Sequence, residues 1–98
     1  MSLTADDLIG KSVLFDLGFH TADGVCIETE QFAADVVAVD GESITVRQRS
    51  TRANRVLPFD PEWFEPAEPK TYKLFRTGEI VVAPDYLARI EFEQQLEG

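Results

Sequence analysis

Apolar and polar residues alternate with a period of two along much of the chain. The alternation is interrupted by glycines, prolines and two Asp-Gly pairs, which predicts short strands joined by turns. Residues 11–19 hold Val13-Leu14-Phe15 and read as a first strand. His20 to Gly24 reads as a turn, because Asp23-Gly24 tolerates the positive φ of a tight reversal. A second strand starts at Val25-Cys26-Ile27, with a polar far end at Glu28, Glu30 and Gln31. The clearest local signal spans 32–49, where Asp40-Gly41 separates two runs rich in β-branched residues, a hairpin with a two- or four-residue loop. Either loop places Val37 and Val39 on one face with Ile44 and Val46, and Ser43, Thr45, Arg47 and Arg49 on the other.

Arg55-Val56-Leu57 reads as a short strand ending at Pro58. Prolines at 58, 61, 66 and 69 then make an extended crossover, since proline gives a sheet no N–H. Within it, Asp60-Pro61-Glu62 has helix-start chemistry and predicts a single helical turn. Tyr72 to Arg76 and Glu79 to Val82 flank Thr77-Gly78 as a second hairpin. The tail is ambiguous: Tyr86, Ala88, Ile90 and Phe92 alternate as in a strand, while Pro84-Asp85 can open a helix. Strand is preferred because the period-2 set captures Phe92. At the other end, Thr4 as N-cap with Asp6 and Asp7 starts a helix over 5–9, stopped by Gly10 and expected to lid the core.

These elements predict one mainly β domain over 1–98, a small antiparallel barrel or strongly bent sheet with a short N-terminal helix and a Pro-rich crossover. Met1-Ser2-Leu3 and Glu97-Gly98 read as cloning remnants and carry no structural weight. The opening layout of a short helix, three or four strands and an Asp-Gly hairpin resembles SH3-like and Sm-like small barrels. The resemblance covers about the first 57 residues and rests on layout alone, so it implies no functional residues.

Hydrophobic residues form 44% of the 98 and charged residues 28%, which points to a globular chain. No apolar run approaches the ~18 residues of a membrane span. With Cys26 as the only cysteine and no basic-apolar leader, the expected location is cytoplasmic. The net charge of −9 is uneven: −8 over 1–42, +4 over 43–59, −4 over 60–68 and −1 over 69–98. An acidic body of this kind repels nucleic acid and anionic lipid at long range.

Candidate chemistry is sparse. Cys26 between Val25 and Ile27 reads as a small buried core residue. Nucleophilic catalysis would need Cys26 or a serine beside a base, and a Cys26–His20 pair across the first hairpin is one such arrangement. One histidine with scattered carboxylates has no zinc or calcium spacing, and no Gly-rich phosphate loop is present, so no metal or cofactor is expected. Two features stand out. Arg47, Arg49, Arg52 and Arg55 form a basic island suited to phosphates or carboxylates, or else a solvated face neutralised by Asp60, Glu62, Glu65 and Glu68. Phe59, Trp63 and Phe64 in the acidic crossover either plug the core or make a partner-binding ridge. The expectation is a non-enzymatic protein-interaction or regulatory module, such as a bacterial accessory or immunity-type protein holding a basic protein partner. Homodimerisation through a hairpin edge is a further expectation. The alternative is a nucleic-acid- or anion-binding barrel acting through the arginines.

Overall fold

The computed structural model describes residues 5–74 and 77–93. A four-residue helix α1 (Ala5–Leu8) precedes β1 (Ser12–His20), β2 (Cys26–Val39), β3 (Ser43–Gln48) and β4 (Asn54–Pro58). A 3-10 turn at Pro61–Trp63 leads to β5 (Phe64–Pro66), followed by β6 (Thr71–Lys73), β7 (Ile80–Val82) and β8 (Tyr86–Glu93). Six strands form one sheet in the order β4-β3-β2-β1-β8-β5, and β6 with β7 forms a separate hairpin.

β1 to β4 are an antiparallel meander. β8, the ambiguous tail, is a strand, but it runs parallel to β1 rather than antiparallel as expected. Its N-terminal end is pinned by a reciprocal pair. Ser12 N–H and Oγ donate to Asp85 Oδ2 at 2.9 and 3.1 Å, and Asp85 N–H donates to the Ser12 carbonyl at 2.9 Å. That commitment takes Asp85 away from a helix N-cap and sets the register at Val13↔Tyr86.

The ladder ends at β4 and β5, and no pairing closes those edges into a barrel among the described residues. It is nevertheless curled. A flat six-stranded sheet is about 24 Å wide. Pro58 and Phe64 are six residues apart, a span of at most about 21 Å fully extended, and the 3-10 turn shortens it. Both edges must therefore approach, and Leu57 from β4 and Phe64 from β5 join one core with Phe15, Phe32, Ile44, Val46 and Ile90. Leu8 of α1 is fully buried in the same core, as its lid role requires. No helix among the described residues is long and apolar enough to cross a membrane.

The consecutive apolar runs have a tertiary cause. Val13 and Phe15 face the main core, while Leu14 and Ala33 face outward beneath the β6-β7 hairpin, packed with Leu74 and Val81. Strands covered on both faces need apolar residues at every position.

Three local expectations change. β2 is continuous across Glu28, Glu30 and Gln31, because β1 pairs with it along its whole first half. Val36, not Val37, enters the core: Val36 pairs with Val46 and Ala38 with Thr45, so Val37 is the extra residue of a bulge and is exposed. Cys26 is exposed rather than buried, since β2 extends past the core there. The Asp40–Ser43 loop is the four-residue alternative, with Asp40 Oδ1 accepting from Glu42 and Ser43 N–H at 3.0 and 2.9 Å. The second hairpin forms as expected, although Phe75 and Arg76 lie outside the described residues.

Candidate functional site

The arginine island divides between the two faces of the sheet. Arg55 pairs in register with Val46 and points to the core side, where its guanidinium lies 4.5 Å from the Phe32 ring centroid. There it donates to both Glu30 oxygens at 3.0 and 3.1 Å. Arg49 donates to both Asp35 oxygens at 2.9 and 3.3 Å, and this pairing raises its pKa above the ordinary arginine value. Arg47, on the same face as Arg49, donates a long 3.4 Å bond to Asn54 and has no ion pair among the described residues. Arg52 sits in the β3–β4 loop at φ 62° and has no ion pair among the described residues. The acids that neutralise the island are thus Glu30 and Asp35 of β2, not the 60–68 run. Strand pairing brings distant residues side by side, and sequence adjacency does not.

Cys26 and His20 are register partners, as the hairpin suggested. No hydrogen bond joins them: His20 Nε2 contacts a Glu91 carboxylate oxygen, and the Cys26 thiol reaches only the Glu28 carbonyl at 3.9 Å. Gly18 makes room for the His20–Glu91 contact, because a Cβ there would meet the Glu91 carboxylate. No group of three or more His, Cys, Asp or Glu gathers into a metal-binding set among the described residues.

The crossover does build a site, and it divides its aromatics. Asp60 caps the 3-10 turn by accepting from Glu62 N–H at 2.9 Å, which turns the chain across the end of the sheet. Phe64 is buried and meets Phe15 edge-on at 6.0 Å, with Phe59 tilted against it at 5.7 Å. Those two rings plug the core, and Trp63 packs against it as well. Trp63 is half-buried and lines a cleft of about 620 Å³ on the outer face, between the crossover and the β6-β7 hairpin. The floor is Leu14 and Asp16 of β1, Gln31 of β2, and Leu87, Arg89 and Glu91 of β8. Trp63 and Tyr72 supply aromatic walls, and Glu62 and Glu65 supply the acidic rim.

Four carboxylates and one cation line this cleft. Arg89 donates to Glu91 Oε1 at 3.1 Å, so Glu91 is held by Arg89 and His20. Asp16, Glu62 and Glu65 have no ion pair among the described residues. Sequence reading picked out Trp63 but missed Asp16, Gln31, Tyr72, Leu87, Arg89 and Glu91. These come from β1, β2, β6 and β8, which lie far apart in the chain, and strand pairing, including the parallel placement of β8 beside β1, brings the β1, β2 and β8 residues together. The acidic run at 60–68 was the one usable signal. No protein-family model, curated protein or solved structure matches this chain.

Proposed function

We propose that this protein is a non-catalytic interaction module, of an accessory or immunity type, that holds a basic protein partner in the cleft beside Trp63. One observation carries the reading: the cleft combines aromatic walls with Asp16, Glu62 and Glu65, three carboxylates that have no ion pair among the described residues. Such a site attracts a lysine or arginine side chain electrostatically and receives its stem on the Trp63 and Tyr72 rings. The overall charge of −9 steers the same class of partner from a distance. Two of the four arginines of the alternative nucleic-acid reading are already occupied by Glu30 and Asp35, which weakens that reading.

Trp63 is the only tryptophan, so its fluorescence reports on the cleft directly. Titration with a lysine- and arginine-rich peptide at low salt is expected to shift that emission. Affinity should fall as salt rises and be lost in Glu62→Gln/Glu65→Gln. An unchanged emission, together with nuclease-sensitive retention on single-stranded RNA or DNA, would favour the arginine-based alternative instead.

A further inference from the structure

The floor of the cleft is built from register partners. Gln31 of β2, Asp16 of β1 and Arg89 of β8 stand side by side in one row. Leu14 and Leu87 form the row before it, and Gly18 and Glu91 the row after. Directly opposite residues of a strand pair are natural partners when their charges differ, so Arg89 is placed to bond Asp16. It bonds Glu91 instead, two positions along its own strand, with Nε donating to Oε1 at 3.1 Å. Asp16 is left with no ion pair among the described residues.

The choice of Glu91 over Asp16 has a cause in β1. The second oxygen of Glu91, Oε2, contacts His20 Nε2. The register partner of Glu91 is Gly18, whose missing side chain gives the carboxylate room to lie across β1; a Cβ there would meet Glu91 Oε2 and crowd His20 Nε2. One oxygen of Glu91 is thus committed to His20 and the other to Arg89. The Arg89 side chain is 77% exposed, so its position rests on the Glu91 bond rather than on burial. Exposed ion pairs are weak enough to exchange partners when one of them is removed.

We infer that His20, Glu91 and Gly18 form a latch that parks Arg89 clear of Asp16 and so keeps the Asp16 carboxylate open to a cationic side chain of the partner. With the latch broken, Arg89 turns to its cross-strand neighbour Asp16 and becomes a tethered competitor for the partner's cation. His20, Glu91 and Gly18 are therefore positioning residues that act through Arg89. The inference rests on the reading of the cleft as a site for basic groups, and it divides the four carboxylates by role. Asp16, Glu62 and Glu65 face the partner, whereas Glu91 restrains the one cation that the cleft itself supplies.

Gly18→Ala breaks the latch without changing any charge. Its new methyl group meets the far end of a flexible side chain, which can swing away with the fold intact. Glu91→Gln breaks the latch by a second route. Hexalysine binding is followed through Trp63 fluorescence at low salt. Asp16→Asn is expected to weaken binding about fivefold in the wild type, but less than about twofold in Gly18→Ala or Glu91→Gln, where Arg89 already covers Asp16. Adding Arg89→Gln to either background should restore the fivefold effect. A second cycle needs no ligand. In urea denaturation, Asp16→Asn should lower the folding constant about two- to fivefold more in Glu91→Gln than in the wild type, and Arg89→Gln should erase that excess. Equal effects of Asp16→Asn across the backgrounds, on folding or on binding, overturn the inference. Failure of hexalysine to bind the wild type overturns the cleft reading, while the folding cycle still decides where Arg89 rests.

Discussion

Arg55 is held by Glu30, by the Gln48 side-chain oxygen at 3.4 Å and by the Phe32 ring, so it works as a cover for the open end of the core. Its removal exposes Phe32 and leaves Glu30 without its cation. Arg55→Ala is expected to cost about 1–2 kcal/mol in urea denaturation, the low range reflecting partial exposure. Arg52→Ala, which removes no ion pair among the described residues, should stay within about 0.5 kcal/mol. Comparable losses in both would show that the island acts as one unit. Two carboxyls predict the acid response. Asp85 is held below the usual carboxylate range mainly by the Ser12 N–H, and Asp40 mainly by the Glu42 and Ser43 N–H groups. A depressed folded-state pKa adds stability above the unfolded value, near 3.9, that is lost as pH falls through the folded one. The melting temperature should therefore drop below about pH 4, and Asp85→Asn should show a shallower drop from a lower starting point. An identical pH profile in Asp85→Asn would remove the role of the Ser12–Asp85 pair.

At the scale of elements, Phe64 is buried in the core, while the adjacent Trp63 both packs against that core and lines the cleft. Phe64→Ala opens a cavity beside Phe15 and is expected to cost about 3–5 kcal/mol. Trp63→Ala removes a half-buried wall of the cleft and should cost less, with its larger effect on binding of the basic peptide. Chemical denaturation of both variants checks the ordering, and a larger loss at Trp63 would reverse the assignment. Local chemistry made several elements legible. Asp60-Pro61-Glu62 makes the predicted turn because its capping groups are close in sequence. Asp40 closes its loop for the same reason. The bulge at Val37 was not legible, because Val36 and Val37 are chemically identical and only the pairing with β3 decides which one is buried. Cys26 misled in the same way: its neighbours Val25 and Ile27 are apolar, but all three lie at or just before the start of β2, beyond the core, and are exposed.

Across the whole molecule, the curl of the sheet brings its two edges into one core and leaves the outer face to carry the cleft. The charge is partitioned accordingly. The acids of β2 bind arginines within the fold, while those of the crossover rim the cleft. Raising salt should therefore weaken binding of a basic peptide more than it weakens folding, which parallel titrations of affinity and melting temperature would show. By itself the sequence determined the β class, the hairpins, the capped turn, the acidic character and the absence of recognisable catalytic spacing. All of these depend on near neighbours, on side-chain periodicity or on composition. The tertiary structure alone decided that β8 lies parallel to β1, that the arginines meet Glu30 and Asp35, and that Trp63 faces a cleft while Phe64 fills the core. It also left Cys26–Gln31 of β2 with a strand on one side only among the described residues. Those outcomes depend on pairing between residues up to 73 positions apart, and no local pattern records which strands will meet.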